Sequence, residues 1–167
     1  MTAGTQLSVE EYLATTFRPD CDYVDGVVEE RNVGEWDHSL VQSRLTQYFL
    51  NIAKDTELFG VVELRVRVRP GKFRIPDVCV LRGKPNEQVL THPPLVCIEI
   101  LSKDDTISKM NERIRDYLEF GVPVVWVVDP REKRIWIYRR SGLEEAAGNA
   151  VTVDGTNVTI PFSAIFD

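Results

Sequence analysis

The run VPVVWVV at positions 122–128 contains no charged side chain, and valine fills five of its seven positions. Valine loses rotamer freedom in a helix and packs well on a pleated surface, so the run is expected to be a strand. Successive residues of a strand point to opposite faces, so one that is apolar at every position must be covered on both. A sheet with helices on both sides satisfies that demand, whereas a meander with one wet face does not.

The rest of the chain supplies the covering elements. In EWDHSLVQSRLTQYFLNIAKD (35–55), Val41, Leu45, Tyr48, Phe49 and Ile52 recur at helical spacing, and His38 falls on the same stripe near the start. A second helix is expected from about Thr106 to Phe120, with Ile107, Met110, Ile114, Tyr117 and Leu118 on one face. Gly121 and Pro123 follow as stop signals. Ser8 and Glu11 frame a short capped helix.

Strand candidates are CDYVDGVVEERNV, folded at Asp25-Gly26 into a hairpin, then VVELRVRVRP, RIPDVCVL, PLVCIEILS and RIWIYRR. The tail VTVDGTNVTI forms a small hairpin. In VVELRVRVRP, Val62, Leu64, Val66 and Val68 take one face, and Glu63, Arg65, Arg67 and Arg69 the other. The order predicts one α/β domain over residues 1–167, built on a mixed β-sheet flanked by helices.

Composition narrows the class. Hydrophobic residues make up 43% and charged residues 28%, the balance of a water-soluble globular protein, and the formal charge of −6 argues against non-specific coating of nucleic acid. The three cysteines, Cys21, Cys79 and Cys97, are widely spaced, form no CxxC pair and accompany only two histidines, His38 and His92. That pattern excludes an ordinary zinc site and suits a reducing compartment. The first residues, MTAGTQLSVEEYL, lack a signal-peptide layout, and no apolar stretch is long enough to span a bilayer. A cytoplasmic location without membrane association is expected.

Two residues break the apolar pattern. Glu99 stands in LVCIEILS and Asp77 in RIPDVCVL. Pro76 has no N–H, which puts Asp77 near a strand start, an edge or a bulge. If the two strands are neighbours, their carboxylates approach each other on one face and require a cation between them or a raised pKa. An arginine or lysine of the 20 present would satisfy them as a structural ion pair. A hard divalent ion, Mg2+ or Mn2+, would do so as a catalytic site.

The series YVDGVVEE, DHSLVQSRL, RIPDVCV, LVCIEILS, RIRDYLEFGVP and VVWVVDP resembles the Uma-two family from about Asp22 to Tyr138. That family consists of small bacterial proteins of the PD-(D/E)XK superfamily, described as restriction endonucleases. The resemblance implies a restriction-endonuclease-like core that hydrolyses phosphodiesters in DNA with a divalent metal. Asp77 matches the first strand acid, which follows a proline. Glu99 opens the acid-x-lysine motif, and the Ile100 carbonyl joins the two acids on the metal. Glu35 or Asp37, at the start of the first core helix, matches a further acidic contributor, and His38 matches a histidine of the family. Asp22 stands where the family's first hairpin usually has glutamate.

The chain departs from the superfamily pattern at Leu101, where lysine is expected. In the family a lysine on the following helix substitutes for it, and that position here is Arg113. An arginine can hold a phosphate but is no general base. Lys103, on the strand parity of Glu99, and Lys109, one helical turn before Arg113, are the alternatives for orienting phosphate.

The stretch RVRVRPGKFR (65–74) carries five basic residues and no acid. Arg65, Arg67 and Arg69 on a strand, with Lys72 and Arg74 from a turn, are the candidate nucleic-acid contacts. Its plainer role is an exposed strand face protected by charge from edge pairing. Three functions follow: a metal-dependent DNA nuclease; a catalytically degenerate nuclease-fold module that binds nucleic acid or acts as a homodimer; or a structural α/β domain with both acids salt-bridged.

Overall fold

The computed structural model describes residues 6–167; the leader-free reading of residues 1–5 lies outside them. Helix α1 (Val9–Ala14) opens with the expected capping box. Ser8 Oγ accepts from the Glu11 N–H at 3.1 Å, and Glu11 Oε2 accepts from the Ser8 N–H at 2.8 Å. Strands β1 (Cys21–Val24) and β2 (Val27–Glu30) are joined by Asp25 and Gly26, both at positive φ, as a two-residue hairpin with right-handed twist requires. Helix α2 (Trp36–Thr56) buries Val41, Leu45, Phe49 and Ala53, and β3 (Leu58–Val62) returns beside it.

Here the structure corrects the sequence. VVELRVRVRP is not one strand but the end of β3 and a separate β4 (Val66–Arg69), broken where Glu63 adopts φ 50°. The two strands lie in different sheets, and Val62 is exposed rather than aligned with buried Val66 and Val68. Residues 72–74 likewise form no turn. They are strand β5 (Lys72–Arg74), paired with both β4 and β1, and Ile75-Pro76-Asp77 carries the chain across to β6 (Val78–Arg82).

Strand β7 (Val96–Ile100) leads through α3 (Ile107–Phe120) to β8 (Val124–Asp129). The chain continues with β9 (Arg134–Arg139), β10 (Gly142–Glu145), β11 (Ala150–Thr152), β12 (Thr159–Pro161) and α4 (Phe162–Phe166). The principal sheet has the order β10-β9-β8-β7-β6-β3. Its single parallel pair, β7–β8, is the one bridged by α3, as a strand–helix–strand crossover demands. A smaller antiparallel sheet, β2-β1-β5-β4, flanks it, and β11 pairs with β12.

Both faces of the principal sheet are covered, as the valine run predicted. Val41, Leu45 and Phe49 of α2 meet Ile98, Ile100, Trp126 and Val128 on one side. Met110, Ile114 and Tyr117 of α3, with Val66 and Val68 of β4, meet Cys79, Cys97, Val125 and Val127 on the other. Each such fully buried aliphatic side chain stabilises the fold by about 1.5–3 kcal/mol. Among the described residues no helix is long and apolar enough to cross a membrane.

Candidate functional site

The pairing of β6 with β7 sets the geometry of the two acids. They run antiparallel with Val78 opposite Ile98 and Cys79 opposite Cys97, so the register extended by one residue puts Asp77 opposite Glu99. By strand alternation both acids share the face of Cys79 and Cys97, under α3. Both are buried, Asp77 at 5% and Glu99 at 1% exposure.

Arginine is what they face. Arg31, just beyond β2, places Nη2 2.5 Å from Asp77 Oδ1 and 3.8 Å from Glu99 Oε2. Its Nη1 lies 3.8 Å from Oδ1 of a third buried acid, Asp22 of β1. Arg113 of α3 places Nη1 3.6 Å from Glu99 Oε2 and Nε 3.6 Å from Asp22 Oδ2. The remaining acceptors are engaged too. Tyr117 donates to Glu99 Oε1 at 2.6 Å, and the Ile100 N–H donates to Asp77 Oδ2 at 2.7 Å. His38 Nε2 lies 3.3 Å from the same Asp77 oxygen. Asp22 accepts from Arg74 Nη1 at 2.9 Å and from the Ile75 N–H at 3.0 Å.

These contacts drive the two acids apart in pKa. Burial works to raise Asp77, but His38, Arg31 and the Ile100 N–H outweigh it and hold its carboxyl below the usual value. At Glu99 burial prevails over the pull of Arg31 and Arg113, and the carboxyl is pushed up to about 7. Burial alone would lower His38, yet Asp77 carries it above its ordinary value.

The sequence candidates divide sharply. Asp77, Glu99, Arg113, His38 and Ile100 come together, although Ile100 meets Asp77 through its N–H. Asp37 is exposed in the first turn of α2 and is not among the groups touching the acids. Lys103 lies beyond the end of β7 at Ile100: in the turn there its Nζ pairs with Glu35 at 2.5 Å, both side chains exposed. Lys109 is exposed on the rim of a second cleft, beside Arg74 and Arg113.

The expected basic stripe is mostly consumed within the fold. Lys72 and Arg74 are buried against Glu112 and Asp116, with Arg74 also on Asp22 and Glu29, so neither is a surface contact. Arg69 is doubly bonded to Asp25. Arg65 donates to the Leu13 and Thr15 carbonyls and lies over the Tyr12 ring. Arg67 is exposed with no side-chain hydrogen bond among the described residues.

Arg31 and Tyr117 are the site residues that sequence reasoning misses as such. Tyr117 was visible only as a core position, and nothing in EERN announces a contact with an acid 46 residues away. An open cleft of about 460 Å³ reaches the site, its wall including Arg18, Arg31, Asn32, His38, Ser39 and Asp77. Arg31 Nη1 and His38 Nδ1 are buried and make no hydrogen bond among the described residues.

A hard divalent ion needs several oxygens at roughly 2.0–2.6 Å. Between Asp77 and Glu99 that place is taken by a guanidinium nitrogen, which carries the positive charge an ion would bring. Among the described residues no group of three or more His, Cys, Asp or Glu side chains is arranged to hold a metal. As arranged, with Arg31 between the acids, Asp77, Glu99, Ile100 and Asp37 do not fit Mg2+ or Mn2+.

Comparison with known proteins agrees on the fold. A crystal structure of a putative nuclease belonging to DUF820 from Anabaena variabilis superposes with a TM-score of 0.81 at 21% identity, over 96% of this chain and 97% of that one. A cryo-EM structure of a DrdV–DNA complex matches 65% of this chain and 10% of its own at 14% identity, with a TM-score of 0.45. No curated protein matches the sequence at a significant level. The family model Uma2, described as "Putative restriction endonuclease", matches residues 9–162. That match takes in all three sheets and every residue of the acid–arginine cluster, and the chain belongs to the Uma2 family.

Proposed function

We propose that this chain is a nuclease-fold module that binds DNA through its backbone phosphates and does not hydrolyse it. One observation carries the reading: the basic groups beside Asp77 and Glu99 are the guanidinia of Arg31 and Arg113, together with His38 held by Asp77. A general base must give up its proton near the working pH; arginine does not, and Asp77 favours the protonated form of His38. Glu99 is 1% exposed with both oxygens engaged, so it is badly placed to activate a water. Phosphate binding is supported by the cleft whose wall includes exposed Arg18 beside Arg31 and His38, and by exposed Arg67. With a formal charge of −6, binding is local and strongly salt-dependent. The same reading takes residues 1–167 as one domain acting in the cytoplasm, with a homodimer presenting two clefts to one duplex.

A metal-dependent nuclease is the second reading. Asp77 and Glu99 stand opposite each other on adjacent strands and face one point, and Arg31 would have to leave before an ion could enter. Supercoiled and linear DNA are incubated with Mg2+ or Mn2+ and the wild type, Asp77→Ala or Glu99→Ala, with binding followed by fluorescence anisotropy. The binding module predicts no cleavage above that of the two variants and an affinity that falls as salt rises. Cleavage lost in both variants establishes the nuclease instead, and absence of any salt-dependent binding removes the DNA-binding role.

A further inference from the structure

The three buried acids around Arg31 come from separate elements, Asp22 from β1, Asp77 from the start of β6 and Glu99 from β7. One guanidinium faces all three, with Nη2 toward Asp77 and Glu99 and Nη1 toward Asp22. Buried carboxylates brought this close require a cation among them or a proton. The loop that carries Arg31 is also fixed. Its backbone N–H donates to the Asp20 carbonyl at 3.1 Å. The neighbouring Asn32 amide donates to Ser102 Oγ and Asp105 Oδ1, both at 3.0 Å. The Arg31 side chain is 9% exposed and therefore belongs to the interior.

We infer that Arg31 is a built-in substitute for a divalent cation, and that this one side chain, rather than any loss of acids, closes the pocket to metal. Arginine and a hard ion compete for the same oxygens, Asp77 Oδ1, Glu99 Oε2 and Asp22 Oδ1. A neutral side chain of similar length at position 31 leaves those oxygens in place with one positive charge fewer among them, since Arg113, Arg74 and His38 reach other sides of the acids. Arg31→Met therefore creates a Mn2+ site at the acid cluster. This inference rests on the non-catalytic reading and deepens it, but its test contains no DNA, so the two fail separately.

The test titrates Mn2+ into wild type, Arg31→Met, Arg31→Met/Asp77→Asn and Asp77→Asn, reading free Mn2+ by electron paramagnetic resonance and melting temperature in parallel. The expected result is no specific Mn2+ uptake by the wild type. Arg31→Met takes up one equivalent, at least about ten-fold more tightly than any wild-type binding, and melts higher as Mn2+ is added. The double variant loses both effects. Mn2+ bound by the wild type and lost in Asp77→Asn overturns the inference. So does an Arg31→Met protein that folds without taking up Mn2+, or one that recovers its fold neither in EDTA nor in millimolar Mn2+.

Discussion

Glu99 lies at the balance point of the site: its burial is nearly complete, yet it keeps a hydroxyl donor on one oxygen and two guanidinia near the other. Removing a donor from a buried carboxylate leaves an oxygen that water cannot reach, at a cost of about 1–3 kcal/mol. Tyr117→Phe deletes the 2.6 Å bond from Tyr117 and little else, because the ring stays in the apolar layer beneath α3. Urea denaturation should therefore show destabilisation in that range, and an unchanged midpoint would mean that the bond contributes nothing net. At this scale the sequence was only half legible. Pro76-Asp77 and Glu99 stood out because charge in an apolar strand is expensive. Arg31 did not, because a basic residue after a polar hairpin arm is ordinary until the fold brings it to Asp77.

Among the elements, the hairpin at Asp25-Gly26, the capping box of α1 and the two long helices could be read locally, since each is set by residues a few positions apart. The change of sheet after β3 could not. Its alternation continues on paper through Arg69, and only the left-handed turn at Glu63 sends β4 to another partner. The basic stripe changes for a separate reason: residues 72–74 are strand β5 rather than a turn, and Lys72 and Arg74 there pair with Glu112 and Asp116 of α3. The α2–β3 contact shows how tightly the main layer is closed. A Cβ at Gly60 would stand 2.7 Å from Phe49 Cδ2 and 2.9 Å from Phe49 Cβ. Gly60→Ala should cost about 1–3 kcal/mol through overpacking, measured as a lower urea midpoint. A neutral effect would show that α2 can slide outward without loss.

At the scale of the whole molecule, an aromatic cluster holds α1 against the smaller sheet. Tyr12 stacks on Tyr23 at 4.9 Å, lies 5.5 Å from Phe73 and donates its hydroxyl to the Cys21 carbonyl at 2.8 Å. Burial pushes the Tyr12 hydroxyl up to about 12, against the opposing pull of Arg65. A folded-state value above the unfolded one means that the folded protein keeps its proton longer. The associated stability is present below about pH 10 and is lost as pH rises toward 12. Wild type should thus exceed Tyr12→Phe by about 1 kcal/mol near neutrality, and this margin should shrink above pH 10. A margin that stays constant to pH 12 would place the tyrosine in water.

The same contrast governs function. The fold of the Uma2 family places Asp77 opposite Glu99, while the charge between them belongs to the polypeptide. Anomalous diffraction from wild-type crystals soaked in Mn2+ tests that claim most directly. The account predicts no anomalous peak between Asp77 and Glu99, with Arg31 Nη2 still bonded to Asp77 Oδ1. A peak coordinated by Asp77, Glu99 and the Ile100 carbonyl, with Arg31 displaced, would contradict it.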